Sequence, residues 1–212
     1  MGDVRRRAAK TPGAADKPTR TAILNAAEAI MREEGYAAVS SRRIAATAGL
    51  KSQLVHYYFK TMDELFGALL ARVEEQYFGR LAAAAAASAP LHAVWAMLID
   101  ENGPRLTKEF IAMVTHRPVL RREIAGSAER TRSLITALIA RALNEHAPDH
   151  SPPASVLAVM MESIGRLIVS DAGLGVSATH DETIAFVESQ LARIEPVASK
   201  TPGRRAAGAK PS

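Results

Sequence analysis

Ser52, Gln53, His56 and Tyr57 share one side of a short helical stretch whose other side carries Val55 and Phe59. Hydroxyl, amide, imidazole and phenol groups thus face outward while two apolar anchors face inward. An amide such as that of Gln53 has the chemistry for a bidentate contact to the edge of adenine. What must position these groups is legible around them. Ser41 to Ala48 has the pattern of a short helix, Gly49 supplies a tight turn, and Ser52 to Phe59 forms a second short helix. Two short helices about a glycine turn, the second polar on its exposed face, read as a helix-turn-helix and point to DNA as a partner.

Charge is distributed in keeping with that partner. The 212-residue chain carries a formal net charge of +5. Residues 1–20 hold Arg5, Arg6, Arg7, Lys10, Lys17 and Arg20 against Asp3 and Asp16, a net +4, and residues 196–212 hold four bases and no acid. Residues 61–195 are net acidic. Basic charge at one end of a molecule fits nucleic-acid contact; for the C-terminal tail, solubility alone is an equal reading. Hydrophobic residues make up 48% of the chain, enough for a sizeable core. The absence of cysteine excludes disulfides, thiolate zinc sites and thiol catalysis. No apolar run follows the basic start, so no secretory signal is expected. Leu81 to Ile99 lacks formal charge but is mostly alanine and contains Pro90 and His92, which argues against a membrane span.

The chain divides into a disordered basic tail at 1–18, a DNA-binding domain at 19–65, a second domain at 66–195 and a disordered basic tail at 196–212. Thr19 is expected to cap a first helix with Ile23, Ala26, Ala27, Ile30 and Met31 inward, and Gly35-Tyr36 to close it. Ser40 is expected to cap the second helix. Leu54, Val55, Tyr58 and Phe59 give the third its apolar residues, with Val55 and Phe59 plugging a core against Ile44 and Ile30. Thr61-x-x-Glu64 is a capping box that starts a long helix marked by Leu65, Leu69, Leu70, Val73, Tyr77 and Leu81. Everything beyond reads as helix: Pro90 to about Glu101, Pro104 to about Thr115, and Arg117-Pro118 to His146 with a possible kink at Gly126-Ser127. A loop at Pro148–Pro153, Ala154 to about Ser170, and a last helix starting at Thr179 or Asp181 complete the chain. The fold class is all-α.

Ala154 to Ser170 is apolar nearly all round, and such a helix must be covered on all sides. The last helix spaces Ile184, Val187, Leu191 and Ile194 by 3, 4 and 3. Together they suggest a four-helix bundle between two subunits, with Leu157, Met160, Ile164, Leu167, Ile184, Val187 and Leu191 in the interface and Ser163 and Gly165 allowing close approach; a monomeric core helix is the alternative. In a homodimer two reading helices would enter successive major grooves and read near-palindromic double-stranded DNA.

The chain resembles the TetR family of transcriptional regulators. Thr19-Arg20-x-x-Ile23-Leu24-x-Ala26-Ala27 is similar to the family's first helix and Gly35-Tyr36 to its closing turn. Ser40-Ser41-Arg42-x-Ile44-Ala45-x-x-Ala48-Gly49 and Val55-His56-Tyr57-Tyr58-Phe59 match its helix-turn-helix, and Leu65-Phe66 the start of its fourth helix. The specific pattern covers about residues 19–70. The resemblance implies a homodimer whose second domain binds a small molecule and whose first binds an operator in the cytoplasm. It implies that Ser41 and Arg42 touch phosphate or a base edge, that Ser52 and Gln53 face base edges, and that His56, Tyr57 and Tyr58 contact phosphate. Tyr58 also suits core filling and His56 a solvated surface. Two positions depart from the family. Lys51 stands where a small N-cap is usual, which shifts the possible cap to Ser52. Met62 stands where a phosphate-binding lysine is common, for which Lys60 is a substitute.

Trp95, Phe110, Met113 and His116 are candidate pocket residues for a small apolar or aromatic effector, because aromatic and methionine side chains line adaptable cavities, although residues so spaced also serve as ordinary core. An effector favouring a wider separation of the reading helices would weaken DNA binding, most simply as release of a repressor. An architectural DNA-binding dimer without an effector is a further reading. No phosphate-binding loop, metalloprotease motif or nucleophile elbow occurs, so no enzyme and no cofactor are expected. His146 and His150 straddle Pro148, and no metal site is expected.

Overall fold

A computed structural model describes residues 17–100, 105–146 and 151–196. Nearly all of both expected tails, the Asn102-Gly103 helix end and His150 lie outside them. Among the described residues there are nine α-helices and no strand, so the chain is all-α as its periodicity requires. The helices are α1 (Lys17–Glu34), α2 (Ser41–Ala48), α3 (Ser52–Tyr58), α4 (Met62–Ala85), α5 (Pro90–Leu98), α6 (Arg105–Val114), α7 (Arg121–His146), α8 (Ala154–Ala172) and α9 (His180–Ile194). Short 3₁₀ turns lie at Tyr36–Ala38 and Pro118–Leu120. α1 starts before Thr19, which therefore lies in the first turn instead of capping it; Pro18 is tolerated there because the first-turn N–H groups have no helical acceptor.

The chain forms two compact units. The first takes the described residues up to Ala83 together with those of Asp100–Ser133. Its core gathers Ile23, Ala27, Ile30 and Met31 of α1, Ile44 and Ala45 of α2, and Val55 and Phe59 from α3 and its end. Leu65, Phe66 and Leu69 of α4 join them, as do Leu106, Phe110 and Met113 of α6. The unit that holds the helix-turn-helix is thus larger than the expected 19–65 domain. Polar ties lock the same elements. Arg72 of α4 donates to Asn25 Oδ1 at 2.6 Å and pairs with Glu28 of α1, which Arg32 also meets at 3.0 Å. Arg117 pairs with Asp63 in the first turn of α4, its guanidinium 4.9 Å from the Phe66 ring centre.

The second unit takes Ala84–Ile99 and the described residues from Leu134 onward. Glu195, just past α9, caps α5: its carboxylate accepts from the Leu91 and His92 N–H groups at 3.0 and 3.1 Å and contacts His92 Nδ1 at 2.9 Å. α8 has two faces. Ala158, Met161, Gly165, Ile168 and Val169 are buried, along with one carboxylate, Glu162, that a reading of the helix as nearly all apolar passes over. Val156, Val159, Met160 and Leu167 face outward. Gly165 does not serve close approach of subunits. A Cβ there would sit 3.0 Å from Leu98 Cβ and 3.1 Å from its carbonyl oxygen, so glycine lets α8 close on α5 within the unit. Gly165→Ala is expected to lower stability by about 1–3 kcal/mol, read from urea unfolding, because the obstacle includes backbone.

Burial alone would raise the Glu28 carboxyl, but hydrogen bonds and charge from Arg72 and Arg32 outweigh it and hold the group below 4.5. Its contribution to stability is therefore present above the ordinary carboxylate value and lost as pH falls through the lower folded value. Glu28→Gln is expected to cost roughly 1 kcal/mol at neutral pH, a difference that shrinks as pH falls through the lowered folded value, as unfolding midpoints of the two proteins compared along an acid series would show.

Candidate nucleic-acid interface

The turn that sets α3 against α2 is built by local hydrogen bonds. Ser40 starts α2, its hydroxyl accepting from the Arg43 N–H at 3.4 Å. Gly49 ends it in the left-handed region at φ 66° and ψ 31°, a conformation that favours glycine. The Gly49 N–H reaches the Ala46 carbonyl at 3.3 Å and the Leu50 N–H the Ala45 carbonyl at 2.8 Å, the paired bonds of a Schellman ending. Lys51 then occupies the N-cap position of α3 with no side-chain cap bond, and Ser52 is the first helical residue. Val55 and Phe59 fix the inner side of α3 by burial, 1% and 3% exposed. Thr61 and Glu64 close the start of α4 reciprocally: Thr61 Oγ1 accepts from the Glu64 N–H at 3.1 Å and Glu64 Oε2 from the Lys60 N–H at 2.9 Å.

With that frame, Ser52, Gln53, His56 and Tyr57 are exposed together on α3, Tyr58 is half-buried beside Tyr57 in an edge-on contact with ring centres 5.2 Å apart, and Lys60 is exposed just beyond. Ser41 is half-buried at the start of α2 and Arg42 is exposed. All eight expected DNA-contacting residues lie in the first unit. Two features escape the sequence reading. Arg43 pairs with Glu34 of α1, which leaves Arg42 as the α2 arginine without such a tie among the described residues. Arg20 lies with its guanidinium 5.0 Å from the Phe59 ring centre, which places an α1 cation at the end of α3. Leu54, grouped by sequence with the apolar residues of α3, is exposed.

The expected pocket residues separate. Phe110 and Met113 are core residues of the first unit, packed in the cluster that holds α1 to α4. His116 stacks on Tyr36 with ring centres 6.1 Å apart, while the Tyr36 N–H donates to Glu109 of α6 at 2.8 Å. Trp95 is buried in the second unit. A cavity of about 330 Å³ in that unit is lined by Pro90, Leu138, Arg141, Glu145 and Glu195 among others, and by none of the four. The expected interface residues divide as well. Met160 and Leu167 are exposed and Leu157, Ile164 and Ile184 half-buried, but Val187 and Leu191 are buried in their own unit. The 3-4-3 spacing marks a buried stripe without saying which molecule buries it. The outward apolar residue of α9 is Phe186, 60% exposed.

Comparison with known proteins agrees with this geometry. Residues 23–69 match the family described as bacterial regulatory proteins, tetR family. Among solved structures, the chain is similar to a TetR transcription regulator from Haloarcula marismortui, with 21% identity, a TM-score of 0.68, and coverage of 84% of this chain and 98% of that one. It is also similar to a TetR-family transcriptional regulator from Cytophaga hutchinsonii, with 15% identity, a TM-score of 0.71, and coverage of 88% and 100%. At these identities the structures speak for the fold. No curated protein matches.

If Arg42 contacts phosphate and Arg43 is held by Glu34, Arg42→Ala should weaken DNA binding evenly across sequences and reduce the salt slope by about 1, whereas Arg43→Ala should change the slope little. Fluorescence anisotropy titrations at several salt concentrations would measure both; equal slope changes would contradict the assignment.

Proposed function

We propose that the chain, whose residues 23–69 match the family described as bacterial regulatory proteins, tetR family, is a DNA-binding transcriptional regulator, a homodimeric repressor released from a near-palindromic operator by a small apolar or aromatic effector. The observation that carries the DNA part is the exposed face of Ser52, Gln53, His56 and Tyr57 on a helix set by the Gly49 turn. Ser52 and Gln53 address base edges, and Ser41, Arg42, His56, Tyr57, Tyr58 and Lys60 hold phosphates. The partner implies a cytoplasmic location, and no described helix is long and apolar enough to cross a membrane.

The dimer is supported by large apolar side chains of α8 and α9 that are exposed among the described residues of the second unit. Met160 is 47% exposed, Leu167 59% and Phe186 60%, alongside Val156 and Val159. A second copy covers such side chains symmetrically and joins two reading helices in one molecule. The effector is supported by the general behaviour of the family. A compound that prefers one helix separation over another shifts DNA affinity by its differential binding energy.

Selection of bound DNA from a random pool is expected to return two half-sites related by a dyad, with centres about 34–36 Å apart. Screening compounds against that duplex should find one that releases it. A pool that yields no enriched sequence would contradict the reading. Leu167→Glu with Phe186→Glu should sediment as a monomer and bind the duplex more than about tenfold more weakly, since each half-site then binds alone. A wild-type chain that sediments as a monomer would remove the dimer.

A further inference from the structure

Leu54 is the residue of α3 that the phosphate-and-base-edge reading leaves without a task. At about 100° per residue, Gln53 and Tyr57 lie opposite the buried Val55 and form the centre of the exposed face. Ser52 and His56 lie on one flank, and Leu54 with the half-buried Tyr58 on the other. Leu54 is 37% exposed, so it is an apolar rim on the side of Tyr57, next in sequence to Gln53. A single exposed leucine is ordinary on a protein surface. On this face it has a specific counterpart, because the base edges of the major groove present one apolar group, the 5-methyl of thymine.

We propose that Leu54 is a specificity-determining residue that packs on the 5-methyl group of a thymine next to the base pair addressed by Gln53. The two adjacent side chains then read different chemistry: an amide the donor and acceptor pair of adenine, an isobutyl group the methyl of a neighbouring thymine. The proposal rests on α3 being the reading helix. The site would favour a thymine over a cytosine at one position of each half-site, and would respond to the methyl group as such.

The test uses the full chain and the duplex selected from a random pool. Each thymine is replaced in turn by deoxyuridine, which keeps the pairing edge and removes only the methyl. The expected result is one sensitive position per half-site, with affinity falling roughly fourfold for each methyl lost, the change that corresponds to burial of one methyl-sized group. In Leu54→Ala that position becomes indifferent to the change, while the loss caused by altering the Gln53-addressed pair is kept. Leu54 is 37% exposed and outside the core, so the variant should fold with a modestly lower melting temperature, and circular dichroism checks this. A wild-type protein indifferent to every deoxyuridine substitution would overturn the proposal, as would a folded Leu54→Ala protein with undiminished sensitivity. Failure of any duplex to bind would overturn the reading of α3 itself, an outcome distinct from binding that ignores the methyl.

Discussion

Neither α2 nor α3 could hold its shape alone. Helices of eight and seven residues lie below the length at which isolated helices persist in water, so tertiary packing must hold them. The packing that does so is the shared core in which Ile44, Val55 and Phe59 meet Ile23 and Ile30 of α1 and Leu65 and Phe66 of α4. Burial of each such side chain is worth about 1.5–3 kcal/mol against exposure, more than the roughly 1 kcal/mol a cap contributes. The direction of the reading face follows. Once Val55 and Phe59 are inside, helical geometry leaves Gln53 and Tyr57 pointing out.

The same core carries a consequence for communication along the chain. α6 contributes Leu106, Phe110 and Met113 to it, its Glu109 holds the backbone after α1, and Arg117 ties the start of α4. The reading head is thus packed directly against residues far along the sequence. Displacement of α6 would disturb the contacts that position α1 and α4. Phe110 and Met113 sit in that element as packing residues, which gives them a structural task whether or not an effector exists.

What was legible in the sequence was local. Ser40 as a cap, Gly49 as a left-handed turn, Thr61-x-x-Glu64 as a capping box and the inward pair Val55 and Phe59 are signals within one or two helical turns, and the structure holds each. What was not legible was which surface meets which. The spacing of Leu106, Phe110 and Met113 announces one buried face and cannot say that α1 and α4 cover it. Val187 and Leu191 look like an interface stripe and are buried within their own unit, while Phe186, off the stripe, faces outward. Gly165 looked like room for a second subunit and is room for Leu98. Periodicity measures how many faces are apolar; only the packed chain assigns their partners.

The central claim is that a face fixed by a shared core reads DNA. Amide-resolved NMR of the chain titrated with its selected duplex tests it most directly. The account predicts that the largest shifts fall on Ser52, Gln53, Leu54 and Tyr57 and on Arg42. Shifts concentrated in α5, α8 or α9 with α3 unchanged would contradict it.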